Sequence, residues 1–400
     1  VTLIEKAPKL GGRAITIPIK GFNFNFGAHA IYGRDRSVLR KLEQEIGLRI
    51  HWRDFSADKA FYDLGDHTTP LPATLSAIMR TEMLDSQNKL RFVYEIFRTL
   101  TTLERGEEGI PIGEYLRKEP EQVRDMLLTL SCSNFFTNEP ERIPSPLYFQ
   151  YYRRLFSTQK PVAYIGGGWQ SIVNGLEQII LQHGGKIVTK ERIHQVLWEE
   201  GRVAGVVGKE AAYQADDYLF CVPPKELVEL FAGTRVAALF AEYARYRPTQ
   251  VVVYDVGLRQ RIPSPYTYIF HKSERVFVTD ISYYDPTCVP EGGQLMQAVS
   301  YLNEEEANEQ AEEKLALIES VYDKHFPGWR ELLETKRVSK KATVQEIKCV
   351  DDQRLMPVKM YSIPNAWFAG DWCEGEGQLS ELSFSSAYEA SSRILRKSRG

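Results

Sequence analysis

Glu5 closes the apolar run Val1-Thr2-Leu3-Ile4, and Gly11-Gly12-Arg13 follows after a short loop. A carboxylate at a strand end accepts hydrogen bonds from a ribose diol, and paired glycines let the backbone approach a cofactor closely. The Arg13 guanidinium can pair with a phosphate or lie on an aromatic ring. This order matches the second half of a dinucleotide-binding βαβ unit. A first strand, a Gly-x-Gly-x-x-Gly turn and a first helix do not precede it. The chain therefore reads as entering the unit partway, without the usual element for pyrophosphate. A charged residue that merely ends a strand is the plainer account of Glu5, and an ordinary turn that of the glycines.

Three further groups could serve the same chemistry. Gly27-Ala28-His29 offers small residues beside which a planar ring can lie, although His29 also fits a hydrogen-bonded core histidine. Gly166-Gly167-Gly168-Trp169 opens a helix whose amides could face an anion, or is simply a connector into that helix. Trp367-Phe368-Ala369-Gly370-Asp371 is a buried strand that delivers a carboxylate at its carboxyl end, where ligands of open α/β sheets bind. A loop and a helix from about Ser380 come next, with Ser380 or Ser383 as cap. The positive end of such a helix favours an electron-rich group. Ile193 lies in a strand where its backbone could meet an adenine edge. His271 and Lys272 read as a solvated strand-end pair.

The elements that must position these residues alternate. Residues 1–5 read as a strand and 15–26 as a hairpin about Gly21, with Ile15, Ile17 and Ile19 answered by Phe22, Phe24 and Phe26. Ser37 caps a helix to Ile46. Residues 71–156 are mostly helical in pattern (Leu75–Met83, Leu90–Leu103, Gln122–Leu130), and Leu75, Ile78, Met79 and Phe92 read as core. After Pro161 come a helix at Ser171–Leu181 and strands at Lys186–Thr189, Ile193–Glu199, Arg202–Val207 and Tyr218–Val222. Strands follow at Val251–Val256, Tyr266–Phe270, Arg275–Ile281 and Gln294–Tyr301. A charged helix at Glu304–His325 and a last helix at Glu381–Leu395 complete the pattern.

The 400 residues suffice for two domains, and 43% hydrophobic with 26% charged content is ordinary for a globular chain. A net charge of −3 without long basic runs argues against nucleic-acid binding. Cys132, Cys221, Cys288, Cys349 and Cys373 are scattered, which suits a reducing cytosol rather than a disulfide framework or a zinc site. No apolar run reaches the roughly 18–20 residues that span a bilayer. No nucleophile, triad or metal cluster is visible.

Jointly, these motifs resemble the flavin-dependent amine oxidase/phytoene desaturase superfamily. The resemblance runs the length of the chain. It rests on Glu5 with Gly11 to Arg13, Gly21 to His29, Gly167 to Ile172, Gly201 to Val206, Ala215 to Pro223, and Phe368 to Trp372. It implies an α/β fold, an interrupted glutathione-reductase-like FAD-binding Rossmann domain with a mixed α+β substrate domain. The FAD domain would comprise 1–50, 160–230 and 351–400. A helical substrate-domain insertion would fill 51–159, and a sheet plus long helix 231–350. By resemblance, Glu5 binds the adenosine ribose, and Gly11, Gly12 and Arg13 lie along the cofactor. Gly27, Ala28 and His29 face the isoalloxazine, and Ile193 meets the adenine. Gly370 and Asp371 hold the ribityl chain, and amides of Leu379, Ser380 and Leu382 approach the pyrimidine edge.

Amine oxidases of this superfamily place an aromatic residue just before the final helix. Here Leu379 stands at that position, without a π-face to orient an amine. The implied activity is hydride transfer from a substrate carbon to flavin N5, phytoene desaturase-like, on an apolar, isoprenoid-type small molecule. Electrons would pass to O₂ or a quinone. The expected location is cytoplasmic, with peripheral membrane association as the alternative. A flavin amine oxidase is the alternative; a flavin-free ligand-binding relative or an inactive fragment is the second.

Overall fold

The computed structural model describes residues 1–26, 30–103, 105–302 and 310–397. A seven-stranded mixed sheet organises the chain. Its spatial order is Leu333–Gln345, Thr249–Leu258, Gln294–Tyr301, Val276–Asp280, Tyr268–His271, Ala60–Asp63 and Thr68–Pro70. All neighbours pair antiparallel except Tyr268–His271 with Ala60–Asp63, which run parallel. The inner strands are buried on both faces, which explains why Val251–Val256 is nearly unbroken in apolar residues.

Successive side chains in a strand point to opposite faces. Val252, Tyr254 and Val256 therefore pack beneath Ile318, Val321 and Tyr322 of the Gln310–His325 helix. Val251 and Val253 face the other way, towards the helices Ser86–Thr101, Glu121–Asn134 and Ser145–Phe156. Between that face and those helices lies the cavity described below.

The nucleotide-type half is built from two parallel strand pairs. Thr2–Glu5 runs beside Lys186–Thr189, and Tyr218–Phe220 beside Ala366–Phe368. An antiparallel sheet of Gln195–Glu199, Arg202–Val207 and Ala212–Tyr213 accompanies them, with helices Val38–Ile46, Trp169–Gln182 and Ser380–Lys397. Ser37 caps the first of these helices by accepting the Leu39 N–H, as expected, and left-handed Gly47 ends it. The expected hairpin pairs Thr16–Ile19 with Phe22–Asn25.

Several expectations change. The thirteen-residue strand Leu333–Gln345 was not read from the sequence. It is an edge strand whose outward positions carry Lys336, Lys340 and Lys341, the charges that keep an edge from recruiting further strands. Strands Ala60–Asp63 and Thr68–Pro70 lie within residues 51–159, the helical insertion that the resemblance implies, and extend the large sheet. Ile78 and Phe92 are core, but Leu75 and Met79 are 65% and 58% exposed. The cause is local: Leu75–Arg80 forms little more than one turn, laid over the cavity mouth, so only its inner side reaches the core. The first residues of the charged helix, 303–309, lie outside the described residues, as do Gly27, Ala28 and His29.

Candidate cofactor site and apolar cavity

The carboxyl ends of the parallel strands gather most of the expected residues. Glu5 ends its strand half-buried, and one carboxylate oxygen accepts the Ala7 N–H at 2.7 Å. Among the described residues the second oxygen has no protein donor and remains able to accept. The Lys190 and Glu191 N–H groups donate to the carbonyls of Ala7 and Glu5, so the loop towards Ile193 lies along the loop after Glu5. Ile193 is half-buried there, packed against the core that includes Phe220 and Phe368.

Gly11 and Gly12 both take positive φ, 119° and 57°. At Gly11 a Cβ would stand 2.8 Å from the Ala14 carbonyl oxygen, whereas at Gly12 it would meet nothing within 4 Å. The first glycine is fixed by the turn, and the second leaves bare backbone open to a ligand.

Arg13 and Asp371, far apart in sequence, form an ion pair. An Arg13 N–H donates to Asp371 Oδ1 at 2.5 Å, and the Glu346 N–H donates to Oδ2 at 3.1 Å. Arg13 also donates to the Val344 carbonyl at 3.1 Å. Buried Asp371 thus joins the glycine turn, the end of the long edge strand and the Ala366–Phe368 strand, and keeps lone pairs for another donor. At Gly370 a Cβ would run into the Trp372 indole, and its N–H and carbonyl are both held by Ser386 Oγ.

The final helix starts at Ser380, directly after left-handed Leu379 at φ 58°. A non-glycine residue in that region stores strain, which clusters at functional sites. The Glu381 and Leu382 N–H groups close back on the Gln378 and Leu379 carbonyls. Among the described residues, no acceptor faces the N–H groups of Leu379 and Ser380, and these point from the positive helix end. Free N–H donors, a buried carboxylate and glycine-lined backbone form a donor set suited to FAD, with its hydroxylated chain and electron-rich ring edge.

Two sequence readings resolve differently. The amides of the Gly167–Trp169 helix start are consumed internally: Gly167 N–H donates to Asp285, Trp169 N–H to Asn25 and Gln170 N–H to Thr16. They serve the packing of the hairpin, not an anion. Lys272 pairs with Asp125, and His271 lies 3.9 Å from Asp63. One cluster escaped the sequence reading. Fully buried Glu381 accepts from Ser37 Oγ at 2.6 Å and from Arg154 at 2.7 Å, and burial pushes its carboxyl up despite these partners. Its only sequence signal is an acid in a first helical turn, which is common.

Between sheet and helices lies a cavity of about 630 Å³. Its floor is Tyr268, Phe277, Thr279, Gln297 and Val299; Phe92, Ile96, Phe136 and Tyr152 belong to its roof. Among the described residues that line it, none is Asp, Glu, Lys or Arg. Leu75 and Leu100 edge its mouth, and Met79, Leu90, Phe97 and Leu103 are exposed on the same helical segment.

Parallel strands that present a carboxylate and free amides, beside an apolar cavity that opens at Leu75 and Leu100, are an arrangement that suits a cofactor-dependent oxidoreductase. The sequence profile of the flavin containing amine oxidoreductases matches residues 1–395, and the chain belongs to that family. It is accordingly an FAD-dependent oxidoreductase.

Solved structures share the fold. An oxidoreductase from Methanosarcina mazei aligns with a TM-score of 0.82 at 16% identity, over 98% of this chain and 94% of that one. Putrescine oxidase bound to putrescine aligns with a TM-score of 0.68 at 16% identity, over 98% and 93%. Reduced UDP-galactopyranose mutase aligns with 0.68 at 14%, over 98% and 89%. At these identities the likeness is one of fold. No curated protein matches the chain. Among the described residues no helix is long and apolar enough to cross a membrane.

Proposed function

We propose that this enzyme oxidises a neutral, apolar small molecule at a carbon centre, in the manner of a desaturase or dehydrogenase rather than a polyamine oxidase. One observation carries the reading: the roughly 630 Å³ cavity has no charged side chain among its described lining residues. An ammonium buried there would lose its hydration without a carboxylate to replace it, which is strongly unfavourable. A hydrocarbon gains about 25 cal/mol for each Å² it buries. Leu379 at the start of the last helix supports the same side, since it offers no aromatic face to a cation.

In this proposal Glu5 accepts from the adenosine ribose, and Ile193 meets the adenine through its backbone. Gly11, Gly12 and Arg13 run along the cofactor, and Gly370 and Asp371 hold the ribityl hydroxyls. The N–H groups of Leu379 and Ser380 donate to the pyrimidine edge, with the backbone at Leu382 behind them. Gly27, Ala28 and His29 keep the ring-facing role that the family resemblance gives them. Bound FAD would supply a hydride acceptor, with O₂ or a quinone as the final electron acceptor in this reading. The protein's part is to bind, orient and dry the substrate: Phe277 and Val299 below and Phe136 above exclude water. The apolar mouth at Leu75 and Leu100, with Met79, Leu90, Phe97 and Leu103 exposed on the same helical segment, supports entry from a lipid phase through peripheral contact.

The test is direct binding of neutral apolar compounds and of putrescine to the FAD-loaded protein by calorimetry. The reading requires saturable binding of the former and none of the latter. Putrescine binding with the apolar panel excluded would overturn it.

A further inference from the structure

Four residues from neighbouring strands stand in one row across the sheet. Arg337 pairs with Asp255, Asp255 with Gln297, and Gln297 with Thr279. The row runs from the edge strand into the cavity floor, where Gln297 and Thr279 are lining residues. Arg337 and buried Asp255 form an ion pair, and the guanidinium lies over Phe26 at 4.1 Å. A lone acid within Val-Val-Val-Tyr-Asp-Val is otherwise hard to account for in a fully buried strand.

The chain of partners dictates how Gln297 must be turned. Its amide end lies 3.4 Å from the Asn25 carbonyl and 3.4 Å from Asp255 Oδ2. Both neighbours are acceptors, so only the NH₂ group can face them, and the amide carbonyl is left for the cavity. Burial pushes the Asp255 carboxyl up to about 6, still ionised at neutral pH, so it remains an acceptor there. Among the described floor residues the other hydroxyls are already engaged: that of Thr279 serves Tyr164, and that of Tyr268 is engaged with Ser133. An acceptor without a partner in an apolar chamber has to find one in the ligand, or its desolvation is uncompensated.

We propose that Gln297, locked by Asp255 and Asn25, is a specificity-determining residue, and that the substrate is an apolar molecule carrying one O–H or N–H donor. This rests on the apolar-substrate reading above and narrows it: a pure hydrocarbon leaves the Gln297 carbonyl unmet. Asp255 and Arg337 are positioning residues that never touch the ligand.

The experiment measures calorimetric affinities of the FAD-loaded protein for geraniol and for geraniol methyl ether, which share an apolar skeleton but differ in the donor. The parent protein should prefer geraniol by about fivefold, the factor one neutral hydrogen bond provides. Gln297→Leu should bind the ether at least as well and lose the preference. Asp255→Asn still presents an amide oxygen to Arg337 and to the Gln297 NH₂, so it should keep the preference, with its flavin spectrum reporting an intact fold. A preference lost there while Gln297→Leu keeps it would overturn the assignment. Equal affinity for both probes in the parent would overturn the assignment of Gln297 and leave the apolar reading standing. A preference that survives Gln297→Leu would do the same. Binding of neither probe would overturn both.

Discussion

Replacing Asp371 separates its two duties, because its two oxygens have different partners. Asp371→Asn keeps an acceptor for the Glu346 N–H (3.1 Å) but loses the charge facing Arg13 (2.5 Å). The Arg13 side chain is 40% exposed and therefore screened, so the stability loss should be about 1 kcal/mol. Asp371→Ala removes one of the two acceptors of Arg13, leaving only the Val344 carbonyl, and the side-chain acceptor of the Glu346 N–H, for about 2–3 kcal/mol. Cofactor affinity should follow a different scale. A hydrogen bond from a ribityl hydroxyl to a buried carboxylate is worth roughly 1.5–3 kcal/mol, so Asp371→Ala should weaken FAD binding about 10–100-fold. The Asn variant still accepts and should lose only about threefold. Quenching of FAD fluorescence on titration gives the affinity, and urea unfolding of the cofactor-free protein gives the stability. An Ala variant that loses the expected stability yet binds FAD within about twofold of the parent would refute the cofactor role and leave Asp371 a structural strut.

Three other outcomes follow from the geometry. Asp63 is fully buried, and its bonds to Lys324 and His325 outweigh burial, holding its carboxyl down to about 2. A depressed acid stabilises above its unfolded pKa near 3.8, so about 2 kcal/mol should vanish as pH falls from about 5 towards 2. Asp63→Asn should flatten that acid limb in urea midpoints measured against pH, and an unchanged limb would contradict the assignment. Val299→Trp fills the cavity floor and should abolish binding of apolar probes while the visible flavin spectrum is retained; unaltered probe affinity would put the substrate elsewhere. Leu75→Glu with Leu100→Glu should reduce co-sedimentation with lipid vesicles, and unchanged partitioning would remove membrane entry at the cavity mouth from the account.

Local chemistry made the nucleotide half readable. Glu5 after four β-type residues, glycines that must take positive φ, and a Ser37 cap leave little freedom, and each appears where its pattern puts it. The ion pair between Arg13 and Asp371 joins chain ends and carries no local signature, although both partners stood out separately. The strand Leu333–Gln345 was invisible because an edge strand is specified by its one buried neighbour, Thr249–Leu258, while its own residues are chosen for solvent. Gln297 and Arg154 escaped for a related reason. A polar residue in a strand or helix becomes informative only when its partners, Asp255 and Glu381, are seen to be buried. The Gly167–Trp169 turn misled in the opposite direction, since its amides are satisfied by Asn25, Thr16 and Asp285 from distant segments.

The most direct measurement is anaerobic titration of the FAD-loaded enzyme, following the visible flavin band. Neutral apolar compounds bearing a single donor group should bleach the band, and putrescine should leave it unchanged. Bleaching by putrescine, with the band untouched across the apolar panel, would contradict the account at its centre.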